Sequence, residues 1–540
     1  MRALLISPEY PLSFWSFRKA CRFGGHKAVN PPLGLLTIAA LLPAAWEMRL
    51  ADLTTRRLQD KDWQWADLIM ISAMHIQKVS FLDLVREAKS RGKTVVAGGP
   101  YPTLFPEEAL EAGCDFVVRG EGENAVPLLL DAMRDGTSRV INNDEKPDLT
   151  ASPVPRFDLL RLKDYRTITI QTSRGCPFDC EFCDVVRLFG NKPRHKTPNQ
   201  VIAELETLYR LGARGPIFIC DDNFIGSKKH ARAILQELTP WLKNRGAPFN
   251  FLTQSSVNLG QDREMMDLMI AARFERVFIG IESPDEKVLE TNRKYQNIKH
   301  PLVESIHNLQ QHGIEVIGSF ILGFDGEKQG AGERICAFTD QTAIPMVMIN
   351  ALQAPPQTGL WHRLAREGRL RDDVKYIAEG TISEFNFEPD RPEAEILQEY
   401  ADAWDYLYEP SHYLARAYRY CLDMPPIRRE MWGATGPSQP QGGVPEPERT
   451  WRRKLIEIKR LCKILWWLGV RESYRRQFLT QLMGMWRQNP TRLSMYLRTC
   501  AMGVDLFDMR RIVRKKVTAM LNEPKRKAVM ASFRSEEVFT

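Results

Sequence analysis

Arg174-Gly175-Cys176-Pro177-Phe178-Asp179-Cys180-Glu181-Phe182-Cys183 sets three cysteines at C-x3-C-x2-C, directly behind a β-rich run at Thr167–Thr172. A tight loop bearing three thiolates can hold three irons of a four-iron cluster, and the missing fourth cysteine leaves one iron open to another ligand. A structural zinc site, needing a further ligand from a distant part of the chain, and three unliganded core thiols are the plain alternatives. The place of the loop at a strand end favours the cluster, because an α/β barrel does its chemistry there.

Outward from the loop, strands are expected at Thr167–Thr172, Ile217–Cys220, Phe249–Thr253, Val277–Ile281, Val316–Leu322 and Met346–Leu352, separated by helical patterns. Six βα units are too few for a full eightfold barrel and suit a partial one. Ahead of them, Arg2–Ser7, Leu68–Ser72, Thr94–Ala97 and Phe116–Val118, with a helix at Leu33–Leu42, belong to a five-stranded series laid out as a doubly wound parallel sheet. Pro147, Pro153 and Pro155 mark a linker. The expected division is an α/β chain with a Rossmann-like domain at 1–140, a linker at 141–165, a partial barrel at 166–371 and a mainly helical region at 372–540. A Pro/Gly-rich loop interrupts the last at 425–447, with six Pro and four Gly.

The cysteine loop, its position and the partial barrel resemble the radical S-adenosylmethionine (SAM) enzymes. The resemblance implies that Cys176, Cys180 and Cys183 hold a [4Fe-4S] cluster whose open iron chelates SAM. An electron from a reductant such as flavodoxin or ferredoxin then cleaves SAM to a 5′-deoxyadenosyl radical. It further implies that Phe182 lies near the adenine and that Asp222, in Cys220-Asp221-Asp222-Asn223-Phe224, lies near the amino end of SAM. Glu282, in Gly280-Ile281-Glu282-Ser283, would meet the ribose or the SAM ammonium. Gly323, in the segment Gly318–Asp325, would line the adenine pocket. The turn Pro355-Pro356-Gln357-Thr358-Gly359-Leu360 resembles the one after the sixth strand. Read from residues alone, these strand-end segments are equally turn formers and helix caps, and Cys220 is a buried core thiol.

The first series resembles the cobalamin-binding domain that precedes the barrel in one radical SAM subgroup. The matching segments are Pro31-Pro32-Leu33-Gly34-Leu35, Ser72-Ala73-Met74, Gly98-Gly99-Pro100 and Arg119-Gly120-Glu121-Gly122-Glu123. Small residues at these strand ends let a bulky ring and its nucleotide tail approach the backbone, which implies Ser72, Gly98 and Gly99 as cobalamin contacts. One departure stands out. Where related domains carry Asp-x-His-x-x-Gly, this chain reads Asp52-Leu53-Thr54-Thr55-Arg56-Arg57, so that loop offers cobalt no imidazole. His75, beside the Ser72 loop, is a conceivable lower-face neighbour or a simple cap.

Composition bounds the rest. In 540 residues, 44% hydrophobic and 26% charged are globular values. The start, MRALLISPEY, does not read as a signal peptide, no apolar run suits a bilayer span, and ten sparse cysteines fit a reducing cytosol. The net charge of +8 is uneven: residues 451–540 hold 21 Lys and Arg against 7 Asp and Glu, a balance of +14, leaving −6 for the body. The helical tail, with Gly380-Thr381-Ile382-Ser383 and Glu388-Pro389-Asp390-Arg391-Pro392, looks like the extension found with the bacterial hopanoid C-2 methylases. Between Trp451 and Leu468, Leu455, Ile458, Leu461, Ile464, Leu465 and Leu468 share a helical face, with Arg452, Arg453, Lys459, Arg460 and Lys463 adding charge. Such a helix either rests on an anionic membrane at its inner face or packs on the barrel with its charges solvated. No nucleic-acid module accompanies the charge, so no nucleic-acid partner is expected.

The leading expectation is a cytoplasmic, cobalamin-dependent radical SAM methyltransferase acting on an unactivated carbon of a small molecule, a lipid or another hydrophobic natural product. A cobalamin-free coupling, cyclisation or oxidation enzyme and a non-catalytic iron-sulfur sensor are the alternatives.

Overall fold

The computed structural model describes residues 1–136, 138–371, 373–374, 376, 384–427 and 451–522, without the side chains of 451–457. Gly380–Ser383, the side chains of Arg452, Arg453 and Leu455, and the Pro/Gly-rich stretch from 428 onward lie outside the described residues.

The N-terminal sheet is built from β1 (Arg2–Ser7), β2 (Glu47–Asp52), β3 (Leu68–Ser72), β4 (Thr94–Gly98), β5 (Phe116–Arg119) and β6 (Val140–Asn142). All pairs are parallel, in the order β2-β1-β3-β4-β5-β6. The period-two alternation of side chains decides its two faces. Leu4 and Ile6 of β1 pack with Phe81, Leu84 and Val85 of helix Lys78–Ser90. Ala3 belongs instead to the layer of Ala125, Val126 and Leu129 from helix Gly122–Asp135. The strand order reverses beside β1, which makes the C-terminal ends of β1 and β3 the switch point where such sheets bind ligands. The sheet has six strands and not the expected five. β6 escapes sequence reading because it has three residues and a single buried side chain, Ile141, too few to show a period.

The second sheet follows chain order: β7 (Ile168–Ile170), β10 (Gly215–Ile219), β11 (Phe249–Ser255), β12 (Phe274–Glu282), β13 (Glu315–Leu322) and β14 (Val347–Ala351), all parallel. All six expected strands are present. A two-stranded antiparallel hairpin, β8 (Ser173–Arg174) with β9 (Arg194–His195), is added at the end of β7. β7 stops early because the buried Asp221 carboxylate accepts the backbone N–H groups of Thr172 (2.6 Å) and Ser173 (3.0 Å), turning the chain out of the ladder.

C-terminal helices cover the far side of this sheet. The Tyr420 hydroxyl accepts the Val316 N–H at 2.8 Å and the Tyr408 hydroxyl accepts the Val347 N–H at 2.9 Å. These contacts occupy backbone donors on β13 and on β14, an edge strand that would otherwise offer itself for pairing. Glu315, 1% exposed at the start of β13, is neutralised by Arg276 of β12 at 2.7 Å and Arg498 of helix Leu493–Leu521 at 2.8 Å. The apolar face expected along Trp451–Leu468 is divided. Leu468 is fully buried and Ile464 and Leu465 pack on the core, whereas Ile458 and Leu461 stand exposed.

Candidate active site

The three cysteines occupy the connection between β8 and β9, which also carries the short helix Val185–Phe189. Gly175 opens the loop at φ 94°, and a Cβ there would come within 2.8 Å of the Gly190 carbonyl, so the close approach needs glycine. The Cys176 N–H donates to that same carbonyl at 3.3 Å and the Cys183 N–H to the Cys180 carbonyl at 3.1 Å. Burial pushes the Cys176 thiol up and the Cys183 thiol far up, and a bound metal would supply the charge that ionises them.

The surroundings fit an anionic iron-sulfur group. Gln296 Nε2 donates to Cys180 Sγ at 3.5 Å. Lys294 Nζ bonds Glu282 at 2.7 Å. Burial opposes the Lys294 charge, but Glu282 and the thiolate forms of Cys180 and Cys183 outweigh it and hold the ammonium above its ordinary value. A fixed cation and an amide donor beside the sulfurs are what stabilise and tune such a cluster. Neither Lys294 nor Gln296 was legible in the sequence, because they lie more than a hundred residues from the cysteines in an ordinary-looking loop.

Of the four residues expected around SAM, Phe182 lies in this loop, Asp222 bonds its first glycine, Glu282 reaches it through Lys294, and Gly323 faces the C-terminal region. Asp222 accepts the Gly175 N–H at 2.8 Å, and burial pushes its carboxyl up to about 7. Glu282 ends β12 at φ 67°, just past an irregularity in the β12–β13 register, and is 6% exposed. The Phe182 ring meets the Phe324 ring edge-on at 5.3 Å, with Lys294 Nζ 5.7 Å from its centroid. Gly323 stands at φ 97°; a Cβ there would strike the Phe385 ring at 2.5 Å, so its smallness serves contact with the C-terminal region. Cys220 is half-buried rather than a core thiol, and desolvation drives its pKa far up.

Two ion networks clamp the loop. On one side Arg174 meets Glu121 at 2.7 Å and Glu123 at 2.9 Å, and Arg194 meets Glu121 at 2.7 Å. On the other, Glu181 meets Arg363 at 2.8 Å, and Arg363 also reaches Asp325 at 2.6 Å. Glu121 and Glu123 belong to the segment after β5 read as a ring-accommodating turn; the structure gives their carboxylates to the cysteine hairpin instead.

The glycines of the first sheet divide in the same way. A Cβ on Gly99 (φ 93°) would meet Ser72 Oγ at 2.6 Å, and one on Gly120 the Asn143 carbonyl at 2.3 Å, so both permit loops to approach each other. Gly98 would meet only Val118 at 3.8 Å, and Gly34 faces open space. A cleft beside Gly120 is lined by Thr103 and Asn143 with the cations Arg119, Lys146 and Arg187, the last from the helix after the cysteines. Asp52, in the stretch lacking histidine, is buried and accepts the Tyr165 hydroxyl at 3.0 Å, tying β2 to the strand that leads to the cysteines. His75 is caged edge-on by Tyr101, Phe105 and Tyr376, with both ring nitrogens buried and unpartnered, and burial lowers its pKa to about 4.

Comparison with known proteins agrees with this geometry. Residues 26–130 match the B12 binding domain, 170–338 the radical SAM superfamily and 358–519 a domain of unknown function. The chain is 42% identical to an uncharacterized methyltransferase of Synechocystis sp. over 97% of this chain and 94% of that one. It is 34% identical to the hopanoid C-2 methylase of Rhodopseudomonas palustris over 88% of each. Among solved structures, the radical SAM methyltransferase TsrM from Kitasatospora setae, with cobalamin and a [4Fe-4S] cluster bound, superposes with a TM-score of 0.56 at 17% identity. That match covers 74% of this chain and 85% of TsrM, and shows a shared fold. The sensor reading is thereby set aside, and a [4Fe-4S] cluster, SAM and cobalamin are the cofactors that the two matched domains bring together. The chain belongs to the radical SAM methyltransferases that carry a B12-binding domain ahead of the barrel.

Proposed function

We propose that the protein methylates an unactivated carbon of a hydrophobic, lipid-like small molecule. The observation that carries this reading is the match of the barrel, the preceding domain and the helical extension together to a hopanoid methylase over 88% of the chain. When bound, the cluster and SAM supply a radical that opens a C–H bond, and cobalamin supplies the methyl group.

In this reading Cys176, Cys180 and Cys183 hold the cluster, Lys294 and Gln296 flank it, and Phe182, Asp222, Glu282 and the backbone at Gly323 receive SAM. Lys294 holds the Glu282 side chain in place at 2.7 Å until a substrate ammonium or hydroxyl takes a share of its carboxylate. Ser72, Gly98 and Gly99 line the corrinoid side, and Arg119, Lys146 and Arg187 offer positive charge to an anionic tail. The Arg174–Glu123 contact joins the strand ends of one sheet to the cysteine loop of the other, which supports a substrate held between the two cofactors.

Anaerobic turnover with SAM, cobalamin and flavodoxin or ferredoxin as reductant, followed by mass spectrometry of an extracted lipid fraction, tests the proposal. A mass gain of one methylene on a lipid is expected. Formation of 5′-deoxyadenosine with methylation only of water-soluble compounds would refute the substrate class.

A further inference from the structure

Fifteen large apolar side chains stand exposed among the described residues, and seven of them fall between 458 and 486. On helix Arg475–Gln488, Leu479, Met483 and Trp486 recur at i, i+4 and i+7 and so line one face, with Trp486 65% exposed, while Phe478 and Met485 of the same helix are buried. On the preceding helix, Trp451–Trp466, Ile458 and Leu461 lie one turn apart and Trp466 is 57% exposed; Val470 continues the exposed series in the turn that joins the two helices. Each helix therefore packs one side on the core and turns a second apolar side to solvent.

The charges around these side chains have one sign. Lys459, Lys463, Arg471, Arg475, Arg476 and Arg487 are exposed, and residues 458–487 contain a single acid, Glu472. Two copies of this surface brought face to face would oppose their cations, which argues against a second copy of the chain as the occupant. Tryptophan and aliphatic side chains flanked by Lys and Arg match the boundary of a bilayer, where the apolar groups enter the acyl region and the cations lie over anionic headgroups. No helix among the described residues is long and apolar enough to cross a membrane, so the contact is peripheral.

We infer that helices Trp451–Trp466 and Arg475–Gln488 form a docking face for an anionic lipid bilayer. The face deepens the lipid-substrate reading but stands without it, because vesicle binding is measured in the absence of turnover. Vesicle binding with no lipid methylation removes the substrate class and leaves the face; lipid methylation with no vesicle binding does the reverse.

The test is sedimentation of the full chain with vesicles of phosphatidylglycerol and phosphatidylcholine in equal parts, against vesicles of phosphatidylcholine alone. Binding to the anionic vesicles, its loss in high salt and a blue shift of tryptophan emission are expected. The combined variant Leu479→Ser, Met483→Ser, Trp486→Ser should weaken partitioning by at least about tenfold. Because all three side chains are exposed, the thermal midpoint should stay in place. Arg475→Glu with Arg476→Glu is the second variant and should weaken anionic binding without touching the apolar residues. Failure of the intact protein to sediment with anionic vesicles would overturn the inference, and so would unchanged binding by both variants. A dimer that dissociates in the serine variant, with no vesicle binding, would assign the face to a second copy instead.

Discussion

Replacing Arg174 by Met tests whether the first domain holds the cysteine loop in place. Arg174 is 11% exposed at its side chain, and Glu121 and Glu123 are 4% exposed, so solvent screens these charges little. At an effective dielectric constant near 20, a contact of about 3 Å is worth about 5–6 kcal/mol before the cost of desolvation is subtracted. Burial raises the pKa of Glu123, but Arg174 outweighs it and holds the carboxyl below the ordinary range. Arg174→Met leaves Glu123 with the Ser152 hydroxyl at 2.9 Å as its remaining side-chain partner. Breaking a buried pair in this way costs about 3–5 kcal/mol. Native Glu123, with its depressed folded pKa, contributes stability that is present above its unfolded value near 4.5 and lost as pH falls through the folded one. In the variant the sign reverses: the unpaired carboxyl is raised, and acid restores part of the lost stability. The assay is thermal unfolding of the apo protein across acidic and neutral pH, together with iron bound per chain after reconstitution. A fall in the midpoint and poorer iron retention are expected, with Glu123→Gln milder because its amide oxygen still accepts from Arg174. Once cluster and cobalamin are loaded, relaxation of the cob(II)alamin electron-spin signal by the reduced cluster should also change. A variant with unchanged midpoint, iron content and spin relaxation would refute the clamp.

Changing Cys176, Cys180 and Cys183 together to Ala should abolish the reduced-cluster signal and 5′-deoxyadenosine formation while leaving circular dichroism intact; continued SAM cleavage would sink the cluster assignment. Gly99→Val forces a Cβ to within 2.6 Å of Ser72 Oγ at φ 93°, so it should cost about 1–3 kcal/mol and release cobalamin. Gly98→Ala, meeting only Val118 at 3.8 Å, should retain both stability and corrinoid, and equal losses in the two would discount the steric argument. His75, neutral when folded with a pKa of about 4 and ordinarily near 6.5, should make the apo protein lose stability as pH falls between those values, by about 3 kcal/mol at most. His75→Phe should flatten that dependence, as read from thermal midpoints along a pH series.

The sequence by itself determined the barrel strands and the cofactor chemistry. All six barrel strands were legible because buried parallel strands are short β-branched and aromatic runs bounded by turn residues, a property of contiguous chain. The cysteine loop was legible for the same reason, its three cysteines falling within eight positions. Only the tertiary structure decided what surrounds that loop. Arg174 looks like a surface charge until Glu121 and Glu123 arrive from the end of another sheet, and Gln296 reaches the Cys180 sulfur and Lys294 reaches Glu282 from a loop with no spacing signal. Gly99 and Gly120 read as room for a ligand, yet their Cβ directions point at neighbouring loops, and Gly323 faces an aromatic ring from the helical extension. The apolar face at the tail was visible as a pattern, but which half packs and which half meets solvent follows from the shape of the core beneath it. Local sequence carries periodicity and ligand spacing; partners for a buried charge, and space beside a glycine, come from distant segments that folding brings together.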